Sequence, residues 1–200
     1  GVYTKPRFFT KILDHNGKVL IDNEPETKQV LKDSTAFLLT DAMAESMKSN
    51  RLFARSGISI NSTSTRAALT GMSAAGKSGT TTANNDIWFV GYTPYYTAGI
   101  WGGCDSNQKL KHGNVNNGGT TFHKDIWRNI MNRIHEGKSD PGFAIPDSIE
   151  TAEICRKSGK RAVAGVCTAD PRGNAVYTEY FAKGTAPTEV CDKHVAVTVC

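Results

Sequence analysis

The fold is decided by residues 86–101, which read DIWFVGYTPYYTAGIW. Its two halves, residues 86–92 and 95–101, are dense in aromatic and β-branched side chains, and Thr93-Pro94 supplies a turn between them. Together with residues 76–81 just before, they predict three adjacent antiparallel strands. The apolar run IWFV within this stretch is unbroken, so we expect the sheet to be buried on both faces and covered by helices.

A hairpin is predicted before this sheet and a helix on each side of it. Residues 7–13 and 18–22 flank an Asn16-Gly17 turn signal. Residues 29–48 and 120–136 have apolar side chains at helical spacing, with Gly137 as the second helix's stop. The expected caps are Asp33 or Ser34 for the first helix and Thr120 or Thr121 for the second. The expected apolar stripes are Phe37, Leu38, Ala42, Met43 and Met47 in the first helix and Phe122, Ile126, Ile130, Met131 and Ile134 in the second.

These patterns predict an α/β fold of the α+β type, an antiparallel sheet with packed helices. Residues 1–137 are expected to form the main unit. Residues 138–200 are interrupted by four prolines and carry four of the five cysteines. They are therefore predicted to be a Cys-containing tail or a small appended module.

The composition excludes several classes of function. The formal net charge is +5 and the cations are scattered along the chain, so nucleic acid is not an expected partner. The longest apolar runs are far below the roughly 20 residues that a membrane-spanning helix needs. The chain opens with Gly1 and shows no signal-peptide pattern, so we expect a fragment or processed product.

The cysteines give no sign of a metal or cofactor site. None of the five has the C-x-x-C spacing of a zinc or thioredoxin-like site, and no histidine is expected to complete a metal knuckle. Their clustering suits structural disulfides in an oxidising compartment, with at least one thiol left free or intermolecular; reduced, buried cysteines remain the alternative. The positions, whose pairing the sequence leaves open, are Cys104, Cys155, Cys167, Cys191 and Cys200.

One segment matches the sequence pattern of a nucleotide-binding motif but lacks the flanking elements that the motif needs. Residues 71–78 read GMSAAGKS and fit the P-loop pattern G-x-x-x-x-G-K-[ST]. A P-loop must leave a buried strand and enter a helix at its lysine, because the phosphates bind at that helix's N-terminus. Residues 66–70 are too weak a strand and residues 79–85 too poor a helix start. A P-loop nucleotide-binding protein is therefore the less favoured alternative.

The same letters have a different meaning if they lie on a strand. Lys77-Ser78-Gly79 then matches the K-[TS]-G motif that serine acyl-enzymes acting on penicillin or D-Ala-D-Ala peptides carry beside their active site. Gly79 would let a substrate backbone lie against the strand edge. Thr80 could offer a main-chain N–H to an oxyanion, and Lys77 positive charge. The hydroxyls of Ser78 and Thr80 could bind a terminal carboxylate, and Thr81 is also a predicted substrate-binding residue.

The surrounding sequence resembles a known family. Residues 75–81 read AGKSGTT, residues 86–94 DIWFVGYTP and residues 100–105 IWGGCD; class A penicillin-binding proteins have AGKTGTT, DAWFVGYTP and VWVGYD. Residues 177–194 also resemble the Cys-containing tail of Gram-positive members. The resemblance implies a peptidoglycan D,D-transpeptidase that cross-links stem peptides through a serine acyl-enzyme and is inhibited by β-lactams. It further implies a parent anchored on the outer face of the bacterial cytoplasmic membrane.

Two motifs of that family are not found where expected. The one S-x-x-K match, Ser106 to Lys109, follows the K-S-G strand instead of preceding it, so we treat it as accidental. Ser59-Ile60-Asn61 matches S-x-N but is too close to the strand for the family's arrangement. The nucleophilic serine and the glycosyltransferase domain are therefore expected in a missing N-terminal part, and the isolated chain is expected to be inactive. The alternative is a noncatalytic penicillin-binding or cell-wall-binding fragment.

Overall fold

The computed structural model describes residues 1–48, 62–106, 108–110 and 121–196. The strands are β1 (Val2–Thr4), β2 (Lys11–Leu13), β3 (Val19–Asp22), β4 (Thr27–Gln29), β5 (Ala75–Thr80), β6 (Ile87–Tyr92), β7 (Thr97–Gly102), β8 (Ile149–Cys155) and β9 (Val176–Ala182); the helices are α1 (Asp33–Glu45) and α2 (Phe122–Ile134). Every strand pair is antiparallel. The predicted α+β class is confirmed.

The central sheet has the strand order β5-β6-β7. Its register pairs Ala75 with Tyr92 at one end of β5 and Thr80 with Ile87 at the other. The three predicted strands are therefore confirmed, each shifted by no more than two residues at its ends. In the described part of the chain β5 is an edge strand, so only one of its two edges is paired with another strand.

Among the residues that the structure describes, one face of this sheet is buried and the other is exposed. Ile87 and Phe89 are fully buried, but Trp88 between them is 46% exposed, and its partner across the ladder, Trp101, is 48% exposed. The expectation of burial on both faces is therefore wrong for the described residues. An unbroken apolar run does not distinguish a strand covered by its own chain from one whose second face awaits another segment.

Helix α2 covers the buried face through Trp127. The Trp127 ring contacts the Phe89 ring with centroids 5.1 Å apart, and its Nε1–H donates to the carbonyl of Ala98 at 3.0 Å. Met131 extends the contact by one helical turn and is fully buried. These residues, with Met47 and Ala67, form the main core.

The predicted apolar stripe of α2 is largely on the wrong face. Of its five members only Met131 is buried; the others are 40–45% exposed, namely Phe122, Ile126, Ile130 and Ile134. The helix buries its tryptophan instead, because Trp127 removes more apolar area from water than any of the isoleucines. Thr121 is the N-cap as predicted but makes no side-chain capping hydrogen bond.

Helix α1 packs near the start of β5. Thr40 and Tyr92 share a hydrogen bond of 2.7 Å between their hydroxyls, and Phe37 contacts the ring of Tyr180 in β9 edge-on. The helix lies within the predicted range 29–48 but is shorter, since Gln29 ends β4, and its N-cap is Lys32, not Asp33 or Ser34. The Asp33 carboxylate accepts from the backbone N–H of Ser34 and from the hydroxyl of Ser148, each at 2.7 Å, and the second bond joins α1 to the C-terminal region.

Three further antiparallel strand pairs lie before and after the central sheet in the sequence. The predicted hairpin is confirmed as β2 and β3, with Gly17 in the left-handed conformation at φ +82° that its turn requires. β1 pairs with β4 around it, which was not predicted. β8 and β9 pair over their full length in the C-terminal region.

In the described residues, neither helix is long and apolar enough to span a bilayer.

Candidate functional site

The predicted site residues lie on and just after β5. Residues 77–80 are extended and paired along one edge with β6. A P-loop lysine would begin a helix, so this antiparallel ladder contradicts the nucleotide-binding alternative. The other edge of β5 has no strand partner among the described residues, so an added strand could pair there.

The side chains of β5 alternate between the two faces of the sheet. Lys77 and Gly79 pair with Val90 and Trp88 and share the exposed face with them. Ser78 pairs with the buried Phe89 and lies on the opposite face. The Lys77 ammonium group donates to the carbonyl of Ser78 at 2.9 Å, which holds this cation close to the strand.

Two glycines of β5 differ in what surrounds them. A β-carbon at Gly76 would lie 2.8 Å from the Phe89 ring and from the Val90 carbonyl, so no side chain fits there. A β-carbon at Gly79 would lie 3.6 Å from the Cβ of Trp88, an ordinary contact. The protein's own packing therefore requires glycine at position 76 but not at position 79. The small size of Gly79 keeps the outer surface of the strand clear.

The turn after β5 uses Thr81 and Asp86. The backbone N–H of Asp86 donates to the Thr81 hydroxyl oxygen at 2.8 Å, and the indole N–H of Trp101 donates to the Asp86 carboxylate at 3.1 Å. The Thr81 hydroxyl, predicted to bind substrate, is thus engaged in closing the turn. It fixes the end of β5 relative to β6 and β7.

A second cation near the strand was missed by sequence reasoning. Lys124, in the first turn of α2, is only 8% exposed and donates to the carbonyl of Thr63 at 2.7 Å. Burial lowers the pKa of Lys124, and the positive charges of Lys77 and Arg66 lower it further. A lysine at the start of a helix gives no sequence signal of this burial.

The loop that leads into β5 is anchored by Asp140. Its carboxylate accepts from the backbone N–H and the hydroxyl of Ser73, at 2.9 and 2.7 Å. The backbone N–H of Gly142 donates to its other oxygen at 2.9 Å. This contact ties the entry of the K-S-G strand to the segment that follows α2.

The two remaining motif matches receive no structural support. Ser59-Ile60-Asn61 lies outside the described residues. Ser106 and Lys109 are exposed and follow β7, and residue 107 between them is not among the described residues. Neither supplies a described serine beside Lys77.

A separate cluster of cysteines and a histidine lies in the C-terminal region. The ligand atoms of Cys155, Cys167, Cys191 and His194 all lie within 4.8 Å of one another. Nδ1 of His194 is 3.3 Å from the sulfur of Cys155 and 3.4 Å from that of Cys191. The expectation that no histidine could complete a metal knuckle is therefore wrong. The overlooked signal is the C-x-x-H spacing from Cys191 to His194.

The cluster is strongly polarised by its neighbours. The pKa of His194 is raised to about 9, first by the hydrogen bond of its Nε2 to Asp170 and then by the one to Cys191. Burial raises the pKa of Cys191, but hydrogen bonds from Ser158, the Lys193 amide and His194 outweigh burial and bring it to about 6. All three cluster cysteines are free thiols, as is the exposed Cys104.

Two family models match the chain. The model "Penicillin binding protein transpeptidase domain" matches residues 1–132. The model "Penicillin-binding protein 1A, C-terminal domain" matches residues 145–196. Together they include β5 and the Cys-His cluster.

Curated relatives match almost the whole chain. Penicillin-binding protein 1A of Clostridium botulinum is 33% identical over 98% of this chain and 22% of its own length. That of Clostridium novyi is 34% identical over 100% of this chain and 21% of its own length. Penicillin-binding protein 1A/1B of Bacillus subtilis is 30% identical over 95% of this chain and 20% of its own length. The chain thus spans about a fifth of the length of these relatives.

Solved structures share the fold. The crystal structure of penicillin-binding protein 1A from Haemophilus influenzae superposes with a TM-score of 0.68 at 22% identity, over 94% of this chain and 30% of the other. The PonA1 protein from Mycobacterium tuberculosis in complex with penicillin V gives a TM-score of 0.52 at 28% identity, over 73% of this chain and 37% of the other. The chain therefore belongs to the penicillin-binding protein family, and it joins transpeptidase-domain sequence to the C-terminal domain of penicillin-binding protein 1A.

Proposed function

We propose that this chain supplies the substrate-binding strand of a peptidoglycan D,D-transpeptidase, which cross-links stem peptides through a serine acyl-enzyme and is inhibited by β-lactams. The observation that carries the proposal is the outer edge of β5, which is extended and unpaired within the described ranges. A peptide or a β-lactam amide that binds there would add to the sheet through main-chain hydrogen bonds.

Each residue of the strand has a role in this proposal. The Thr80 N–H helps bind the oxyanion of the tetrahedral intermediate, where the loss of one donor costs about 100- to 1,000-fold in rate. The hydroxyls of Ser78 and Thr80, which share one face of the strand, bind the terminal carboxylate, and Lys77 on the other face supplies positive charge. Gly79 leaves room for the substrate backbone. Thr81, a weaker candidate for direct contact, positions the strand through the turn that it closes.

The acylating serine would come from another part of the parent protein. Two exposed apolar surfaces could pack against the part that carries this serine. They are the sheet face with Trp88 and Trp101, and the outer stripe of α2. Exposed patches of this kind mark interaction surfaces in soluble proteins. The chain corresponds to only about a fifth of its relatives' length. We therefore expect the isolated chain to be inactive and the parent to act at the outer face of the cytoplasmic membrane.

The two predicted units fit the same proposal. Residues 1–137 would complete the transpeptidase domain, and residues 138–200 would form a C-terminal Cys-containing module. The models matching residues 1–132 and 145–196 support a division near this point. The hydrogen bond from Ser148 to Asp33 and the ring contact of Tyr180 with Phe37 support close packing of the module on α1.

Labelling with fluorescent penicillin tests the proposal. The full-length parent should be labelled covalently, whereas the 200-residue chain alone should not. Gly79→Ala in the parent should slow labelling about 100-fold, because the added methyl displaces the substrate from the strand. Gly99→Ala is the matched control, since its β-carbon also lies 3.6 Å from its nearest neighbour on the same sheet face. Labelling of Gly79→Ala at the wild-type rate, or of the isolated chain, would overturn the proposal.

A further inference from the structure

Four side chains with soft metal-ligand atoms converge in the C-terminal region. Cys155 ends β8, Cys167 begins a 3₁₀ turn, and Cys191 and His194 lie on the final described segment. They come from three stretches of sequence that the fold brings together. Three thiols and one imidazole form a Cys₃His set, one of the common ligand sets of structural zinc.

The separations fit one tetrahedral ion. With Zn–S bonds of about 2.3 Å and Zn–N bonds of about 2.0 Å, a tetrahedron has S···S edges of about 3.8 Å and N···S edges of about 3.5 Å. The measured N···S distances are 3.3 and 3.4 Å, and every pair of ligand atoms is within 4.8 Å. An ion can therefore be placed at the centre with displacements below an ångström.

The histidine is oriented for binding by a carboxylate behind it. Nε2 of His194 is 2.8 Å from Oδ2 of Asp170, whose side chain is almost fully buried. Arg172 holds that carboxylate in place through its own hydrogen bonds, at 3.1 and 3.2 Å. Because Nε2 is engaged with Asp170, Nδ1 is the ring nitrogen that faces the thiols and would bind an ion there once it has lost its proton. Carboxylate–histidine pairs of this kind fix the ligand nitrogen in zinc sites.

The sulfurs also have donors suited to thiolates. The backbone N–H of Val163 donates to Cys167 Sγ at 3.2 Å, and that of Lys193 donates to Cys191 Sγ at 3.4 Å. Such N–H donors stabilise negative charge on sulfur. The second comes from within the Cys191-to-His194 segment, so the loop itself presents both ligands and a donor.

The four ligands lie at the centre of the C-terminal region, where the cysteines are buried and few large apolar side chains pack around them. Cys155 and Cys167 are fully buried, and the apolar side chains that pack around the cysteines within the described ranges are small, namely Ala162, Val163, Ala175 and Val176. No fifth ligand is needed, which indicates a structural and not a catalytic ion. A disulfide would use two of the three sulfurs and leave the His194–Asp170 pair without a role.

We propose that Cys155, Cys167, Cys191 and His194 bind one structural Zn²⁺ that fastens the final segment to the β8–β9 hairpin, with Asp170 as the residue that positions His194. This site is independent of the proposed transpeptidase chemistry, since it lies outside β5 and its edge.

Metal content and thiol reactivity test the proposal on the whole 200-residue chain, purified under reducing conditions with zinc supplied. We expect about one zinc per chain by elemental analysis and, after cobalt exchange, the visible spectrum of tetrahedral thiolate-bound Co²⁺. An alkylating reagent should modify Cys104 in the native protein, and the three cluster cysteines only after a chelator is added.

Variants separate this site from adventitious binding. Cys167→Ser and His194→Gln should lose the metal, and Cys104→Ser should keep it. Asp170→Asn should weaken zinc binding about 10- to 100-fold. The proposal is overturned if wild-type protein holds no zinc, if Cys167→Ser retains the full amount, or if intact mass shows a disulfide among the cluster cysteines. The zinc content and the intact mass of the wild-type protein can each overturn the proposal by themselves. The test therefore still works if a variant fails to fold.

Discussion

Asp86 donates its backbone N–H to the hydroxyl oxygen of Thr81 at 2.8 Å, and Thr81 donates its own backbone N–H to the carbonyl of Asp86 at 3.0 Å. These two bonds close the turn between β5 and β6. Thr80, one residue earlier, lies exposed at the end of β5. Two adjacent threonines therefore have separable roles, one within the fold and one facing the proposed groove.

Valine substitutions separate these two roles. Thr81→Val removes the acceptor of the Asp86 amide, and we expect the free energy of unfolding to fall by about 1 kcal/mol. Thr80→Val should leave stability unchanged but slow penicillin labelling of the parent about tenfold or more, because a hydrogen bond to the carboxylate is lost. Denaturant unfolding and labelling rates measure the two effects. Equal effects of the two variants on stability and on labelling would contradict separate roles for Thr80 and Thr81.

A methyl group at Gly76 tests the packing beneath the strand. Its β-carbon would lie 2.8 Å from the Phe89 ring, so Gly76→Ala should reduce the free energy of unfolding by about 1–3 kcal/mol. Gly99→Ala meets no such obstacle and should stay within about 0.5 kcal/mol of wild type. Chemical denaturation of the isolated chain measures both, and equal losses would show that the register of β5 on β6 is wrong.

The two faces of α2 should respond differently to truncation. Trp127→Ala removes a fully buried ring and should cost about 3–5 kcal/mol. Ile130→Ala, on the exposed stripe, should change the isolated chain's stability by no more than about 0.5 kcal/mol. Thermal or denaturant unfolding of the isolated chain distinguishes them. A large loss for Ile130→Ala would place the stripe in the core, as the sequence pattern predicts.

The contrast on α2 shows where sequence reasoning reaches its limit. Apolar spacing located both helices and all three central strands, since those signals are local. It assigned Ile126 and Ile130 to the core and did not anticipate that Trp127 would take the buried face. A period-3.6 pattern identifies an apolar stripe but not the surface that will cover it. The chain spans about a fifth of the length of its relatives, so the surface that covers the stripe need not lie within these 200 residues.

The two sites differ in how far the sequence could predict them. Lys77 to Thr80 is contiguous, so its letters located the strand directly. The Cys-His cluster is assembled from segments 12 and 24 residues apart, between Cys155 and Cys167 and between Cys167 and Cys191. Only the C-x-x-H step is local. Burial of Lys124 likewise depends on the distant carbonyl of Thr63, and no spacing rule indicates it.

Asp140 gives a pH-dependent prediction. Burial raises the pKa of its carboxyl, but hydrogen bonds from Gly142 and Ser73 outweigh burial and leave the pKa below its ordinary value of 3.8. The folded state thus favours the carboxylate. The stabilisation is fully present above pH 3.8 and is lost as pH falls through the lower folded pKa.

The matched variant for this prediction is Asp140→Asn. The difference in melting temperature between wild type and variant should be constant near neutral pH and should shrink as pH falls below about 4. Thermal unfolding followed by circular dichroism between neutral and acidic pH measures the difference. A melting-temperature difference that grows on acidification would show that folding raises the pKa of Asp140 and does not lower it.

We propose that the outer edge of β5 accepts a substrate backbone, and a crystal structure of the parent protein acylated by a β-lactam would show this. We expect an antibiotic amide hydrogen-bonded to the main chain of β5 beside Gly79, with its carboxylate on the hydroxyls of Ser78 or Thr80. A ligand that leaves that edge unoccupied, or another strand already paired with it, would exclude this role for β5.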